Sequence, residues 1–201
     1  MKKPHFVLAA CLVLSVALSS CAAPGPSKTS KAVPAGFLYE GSYINVRAPN
    51  SDGWHLVKSS SSGMEFARSR ISPNESLGAQ VLMFALPETK GTDNFVSLIK
   101  QGVEKDTNPE RFEIVDSELK FTEHRGYPCV SVMSVVKDKM ARASSTHREV
   151  LLLQAESLYC RHPERQDTGF SIIYSHRGSS LFSNLHAEAQ DFINGVQVPG
   201  Q

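Results

Sequence analysis

The sequence has no run long enough to cross a bilayer. Its uncharged apolar stretch Phe6–Leu18 (FVLAACLVLSVAL) has thirteen residues, where a spanning helix takes about 18 or more. A basic excess is missing as well: 21 Lys and Arg face 20 Asp and Glu, a balance that argues against a nucleic-acid surface. No C-x-x-C is present, which removes the usual anchor of thioredoxin-like redox chemistry. No G-x-x-x-x-G-K, G-x-G-x-x-G or H-E-x-x-H occurs, so nucleotide and zinc-protease chemistry lack their usual motifs. The nearest approach to a nucleophile elbow, Gly169-Phe170-Ser171-Ile172-Ile173, has Ile where the second glycine is needed, and Ser171 reads as an ordinary strand residue. What remains is 201 residues with 41% hydrophobic and 20% charged content, the size and composition of one globular domain.

The N-terminus is the most specific part of the chain. Lys2 and Lys3 precede the thirteen-residue apolar run, and small residues follow it up to Cys21, the layout of an export leader. Leu18-Ser19-Ser20-Cys21 resembles the lipobox of bacterial prolipoproteins. That resemblance implies cleavage after Ser20, a signal peptide over residues 1–20, and acylation of Cys21, whose thiol forms the thioether to the glyceride. Two or more acyl chains, each contributing ~0.8 kcal/mol per buried CH₂, give stable attachment to a membrane. Ala22, rather than Asp, implies the outer membrane, with the domain facing the periplasm. Removing the two leader lysines from 21 leaves 19 basic against 20 acidic side chains. Residues 21–36 carry Pro24, Pro26 and Pro34 and read as a lipidated tether; fifteen flexible residues reach roughly 20 Å.

Of four cysteines, Cys11 leaves with the leader and Cys21 takes the lipid, so Cys129 and Cys160 remain. A lone pair in an exported domain favours a disulfide. Cys129 opens one apolar run and Cys160 closes another, so antiparallel pairing of those strands brings both to the same end. A directly opposed cystine fixes the residue sum at 289, pairing Val132 with Ser157 and Val136 with Leu153, with Cα atoms roughly 4.4–6.8 Å apart.

Through residues 37–198 the periodicities predict strands near 43–48, 54–58, 64–68, 77–86, 112–122, 129–136, 149–160 and 169–175. Phe95, Leu98, Ile99 and Val103 mark one helix over 92–105, capped by Thr92 or Asp93. Leu181, Leu185, Ala189, Phe192, Ile193 and Val196 mark a second, with Ser179, Ser180 or Ser183 as caps and Asn194-Gly195 as its stop. Three consecutive strands without an intervening helix require a mainly antiparallel sheet, and strands apolar on both faces require cover from both sides. The fold class is therefore α+β, with helices on both faces. The element order resembles the PsbP-like superfamily, an α/β/α sandwich; that resemblance implies a protein-binding role and places no functional residue.

Candidate chemistry is sparse. His147, His162 and His176 all fall at strand ends and can converge on a metal or small ligand, with Arg177 beside them. Glu113, Asp116, Glu118 and Glu123 lie on or after one strand, where a carboxylate pair of glycosidase type would need two to face each other. Lys137, Lys139, Arg142 and Arg148 form a basic hairpin loop. The reading is a non-catalytic, membrane-anchored envelope lipoprotein that binds or supports assembly with an envelope protein partner, takes no cofactor and meets no nucleic acid. The alternative is an envelope enzyme or small-ligand- or metal-binding lipoprotein with a site between sheet and helix.

Overall fold

The structure, a computed structural model, describes residues 30–69, 74–140 and 150–200. The leader, Cys21, most of the expected tether, Arg142, His147 and Arg148 lie outside the described residues. In chain order the elements are β1 (Lys31–Ala32), β2 (Leu38–Tyr39), β3 (Asn45–Arg47), β4 (His55–Ser60), β5 (Gly63–Ser69), β6 (Ser76–Ala85), α1 (Gly91–Asp106), β7 (Phe112–His124), β8 (Tyr127–Asp138), β9 (Leu151–Arg161), β10 (Thr168–Gly178), α2 (Leu185–Asn194) and β11 (Val196–Gln197). Eight strands form one sheet in the order β1-β4-β5-β6-β10-β9-β8-β7, and β11-β3-β2 form a small second sheet. Every registered pair between neighbouring strands is antiparallel. The described residues thus form a mainly antiparallel α+β fold with two helices.

The long strands stand where alternation and apolar runs place them. β10 lies between β6 and β9 and is buried along most of its length, with Phe170, Ile172 and Tyr174 at most 1% exposed. β6 buries Leu77, Ala79 and Val81, while Gly78, Gln80 and Leu82 are half-buried. The β7–β8 hairpin closes on Arg125 (φ 51°) and Gly126 (φ 77°), both in the left-handed region that a two-residue primed turn requires. Pro128 precedes the first β8–β9 pair, so its missing N–H removes no bond from that ladder.

The cystine pairing holds to the residue. Cys129 opposes Cys160, Val132 opposes Ser157 and Val136 opposes Leu153. The two sulfurs are bonded, with Cα atoms 4.1 Å apart, a little under the expected range. Pairing continues without interruption to Asp138 and Leu151, two pairs beyond Val136 and Leu153.

Two buried clusters hold the helices. Leu185, Ala189, Phe192 and Ile193 of α2 pack with Trp54, Phe66, Ala79, Cys129, Ile172 and Tyr174. Phe95 and Ile99 of α1 pack with Leu86, Val130 and Val132, with Leu98 and Val103 at the margin.

Several local readings are corrected. Residues 31–36 are not free tether: Lys31 and Ala32 pair with Leu56 and His55, and Val33, 7% exposed, donates its amide to the Trp54 carbonyl at 3.0 Å. One apolar residue in that stretch suffices, because β4 otherwise leaves an open edge beside it. Thr92 and Asp93 lie inside α1, whose N-cap is Lys90, although Asp93 in the first turn still favours the helix dipole. Helix α2 begins at Leu185 after Asn184, so none of the three serines caps it, and Leu181 is 56% exposed outside the helix. Val196 belongs to β11. Gly195 has an ordinary helical φ of −80°; glycine is needed there because a Cβ would sit 2.9 Å from the Arg47 Cβ on β3.

Candidate functional site

At the β7 end of the large sheet, α2 stops short of the last strand and leaves a groove of about 250 Å³. Its floor comes from β7, β8 and β9 (Glu118, Lys120, Thr122, Ser131, Met133, Glu156, Leu158) and its wall from His186, Gln190 and Ile193 of α2. Near it the Arg125 guanidinium donates to the Asn194 carbonyl at 2.8 Å and ties the β7–β8 turn to the end of α2.

Glu156 is the unusual residue. It is the one carboxylate of β9, is 8% exposed, and opposes Met133 on one side and Tyr174 on the other. A buried carboxylate needs partners, and α2 supplies them. His186 Nδ1 lies 2.9 and 3.1 Å from its two oxygens, and Gln190 Nε2 donates at 3.4 Å. The spacing of residues 186 and 190 puts both on one helix face. The carboxylate is sheltered while the His186 side chain is 73% exposed, so the pair fixes one ring nitrogen and presents the other to solvent.

His124, the last residue of β7, also lines the groove. Its Nε2 is buried and has no hydrogen-bond partner among the described residues. Burial, reinforced by the Arg125 charge, pushes its pKa down from the usual histidine value. The groove therefore offers a neutral imidazole, a braced imidazole, the Glu118–Lys120 pair (3.5 Å) and apolar contact from Met133 and Ile193. That set can grip a polar surface with one apolar contact. The His186–Glu156 pair has the base-and-orienter form of a nucleophile-activating dyad, but His186 makes hydrogen bonds to Glu156 and to no hydroxyl or thiol among the described residues.

Of the histidines singled out for convergence, the two described ones, His162 and His176, do not meet. His162 sits at the end of β9, 2% exposed, with Nε2 3.2 Å from the Tyr43 carbonyl. His176 lies opposite Gln154, eight residues further along β10 than Thr168, whose carbonyl bonds His162; at ~3.3 Å per residue the two are roughly 26 Å apart. Antiparallel hairpins send alternate strand ends to opposite edges of the domain, which separates them. Among the described residues no group of three or more His, Cys, Asp or Glu is arranged to hold a metal ion.

Of the four acids, Glu118 and Glu123 line the groove, while Glu113 pairs with Lys137 at 2.7 Å. That hydrogen bond and charge hold the Glu113 carboxyl below its ordinary value. Lys139 donates to the Pro109 carbonyl at 2.7 Å, so neither described lysine of the hairpin stands as a free basic tip. Arg177 joins another cluster: Asp138, 1% exposed, takes Arg111 through both oxygens (3.1 and 2.9 Å) and Arg177 at 3.2 Å. Burial opposes its ionisation, but the two guanidiniums outweigh that cost and hold its pKa below the usual carboxylate value.

Fold and groove together define a small α+β domain with a polar groove at one sheet edge. The chain is similar to the solution structure of cyanobacterial PsbP (CyanoP) from Synechocystis, with 12% identity, a TM-score of 0.49, and coverage of 88% of this chain and 98% of that one. It is also similar to the Ran-binding protein Mog1p of Saccharomyces cerevisiae, with 14% identity, a TM-score of 0.46, and coverage of 86% and 96%. No family model matches the chain, and no curated protein matches it.

Proposed function

We propose that this protein is a lipid-anchored envelope protein that binds another envelope component through the groove beside α2. In this reading Cys21 carries the lipid, the domain is a PsbP-like α/β/α sandwich at the outer membrane facing the periplasm, and the groove binds without catalysing. Two-sided cover is supported by parity: Cys129 packs with α2 while its neighbour Val130 packs with α1, and adjacent strand residues point to opposite faces.

The observation that carries the proposal is the sheet order. β1, the first strand after the expected anchor, and β7, which floors the groove, are the two outermost strands. Seven strand spacings of ~4.8 Å separate them by roughly 34 Å. An anchor at the N-terminus thus leaves the groove on the far edge, turned to whatever lies beyond the membrane. The cystine agrees with an oxidising compartment.

Two measurements test the parts separately. Palmitate labelling should mark the parent and not Cys21→Ala; equal labelling or identical processing of both overturns the anchor. Affinity capture from detergent-solubilised envelopes should recover a partner with the parent and lose it with His186→Ala, which changes an exposed side chain; a partner retained equally by both, or none, overturns the groove.

A small-ligand site is the second reading. The Glu156–His186 pair favours it, because a braced exposed imidazole is a ready hydrogen-bonding group for a compact polar molecule.

A further inference from the structure

β7 is thirteen residues long, ends the large sheet, and among the described residues pairs on one side only. Long open edges invite another strand. The register of β7 on β8 tells which of its groups are open. His124 and Tyr127 flank the two-residue turn, so they exchange hydrogen bonds, and Thr122, Lys120 and Glu118 follow facing β8 in steps of two. The Ser131 hydroxyl donating to the Lys120 carbonyl fits that assignment. Ser117, Leu119, Phe121 and Glu123 then turn their N–H and C=O groups outward.

We propose that this edge pairs with the same edge of a second copy, antiparallel, about a twofold axis at Leu119. The charges select the register. With Leu119 opposite the partner's Leu119, Glu118 lies opposite the partner's Lys120 and Lys120 opposite the partner's Glu118, two reciprocal ion pairs on one face. Shifting the axis by one residue either way sets Glu118 against its own copy or Lys120 against its own copy, a repulsion at the centre. Both side chains are more than half exposed, at 56% and 61%, and among the described residues they pair with each other at 3.5 Å, so a neighbouring strand can take them without uncovering a buried group. The bulge between Ile114 and Asp116 interrupts the ladder and limits the pairing to the stretch beyond it.

The second copy also completes the groove. Glu118, Lys120 and Thr122 form its outer rim, beyond which the sheet stops. Across the twofold axis the rim of one groove becomes continuous with the other, and the partner's Lys120 adds a cation beside Glu118. This inference stands on the edge strand alone and does not depend on the lipid anchor or on what the groove binds.

The test uses the full chain in mild detergent. Leu119→Cys sits on the axis, where hydrogen-bonded partners have Cα atoms about 5.5 Å apart, and mild oxidation should give a reducible covalent dimer. Asp116→Cys, opposite the partner's Thr122, should not crosslink to its own copy, and neither should the parent. By sedimentation, Lys120→Glu should weaken self-association about tenfold, since two attractions become two repulsions. The exchange Glu118→Lys with Lys120→Glu should restore it to within about threefold of the parent, because the reciprocal pairs are rebuilt. A parent monomeric at high micromolar concentration, a crosslink at position 116 instead of 119, or an exchange variant as weak as Lys120→Glu would each overturn the proposal. Strand pairing with an added extended peptide in place of a second copy would overturn it too.

Discussion

β10 and β7 belong to the same sheet, three strand intervals apart, yet they are built on opposite rules. β10 (TGFSIIYSHRG) is buried nearly throughout, whereas β7 (FEIVDSELKFTEH) is exposed at most positions after Phe112. In β10 even polar groups are enclosed: the Tyr174 hydroxyl donates a hydrogen bond to the Glu188 carboxylate of α2, and His176 stacks near Phe182 with ring centroids 5.2 Å apart. In β7 the charges face water and one another. The centre of the sheet stores stability, and the edge is left open to contact other molecules.

Substitutions along this gradient should grade accordingly. At the centre, Phe170→Ala, which empties a site between Tyr127 and His162 (centroids 6.0 and 6.3 Å), should cost ~3–5 kcal/mol in denaturant unfolding. A loss near 1 kcal/mol would mean that the core relaxes around the gap and that centre and edge differ less than burial implies. Midway, replacing both Cys129 and Cys160 by Ala opens a 31-residue connection and should cost ~3–4 kcal/mol on the chain-entropy estimate; thiol titration of the denatured, unreduced parent should find neither of these two cysteines free.

The next effect is a pH dependence at the inner strand. Burial pushes the His176 pKa down, a shift that Glu75 partly opposes. The unfolded chain therefore takes up this proton first as pH falls. Stability from this group is intact above the unfolded value near 6.5 and declines below it. His176→Gln should flatten the unfolding free energy against pH between about 7 and 5, and an unchanged slope would assign the dependence to other groups. Smallest is the edge itself: Glu113→Gln breaks the exposed pair with Lys137 and should leave a barely measurable loss in denaturant unfolding, because an exposed pair is screened by solvent. A larger loss would show that the edge carries structural weight.

The long elements were legible because each buries a stripe or alternation that its own residues spell out. Phe95 and Ile99 mark α1, and Phe170, Ile172 and Tyr174 mark β10. The cystine register followed from two runs and one sum. Two-residue strands such as β2 and β11 leave no periodicity to read, and the stretch around β1 offers Val33 as its one large apolar residue. The groove was hidden for a different reason. Its histidines come from the end of β7 and from α2, and its carboxylate from β9, so it exists only once strand order and helix return are set. One signal was present: Glu156 is the one charged residue in the largely apolar stretch Leu151–Cys160, and a carboxylate in such a stretch must find a partner from elsewhere. Asp138, at the end of β8 with Arg111 and Arg177 converging from separate elements, follows the same logic.

The docking of Lys31–Ala32 also has a mechanical consequence. Any pull on the chain ahead of Ser30 reaches the domain through two registered pairs, Lys31 with Leu56 and Ala32 with His55. The β8–β9 ladder, by contrast, runs through ten pairs from Cys129–Cys160 to Asp138–Leu151 and is bolted at one end by the cystine. Tension directed across β1 peels its pairs one at a time; tension along the strand loads both together. Either way the short ladder yields first, and the force then meets the Val33 amide on the carbonyl of Trp54, a side chain 1% exposed at the wall of the main core. With two pairs against ten, β1 is placed to open before the longer ladder loses its register.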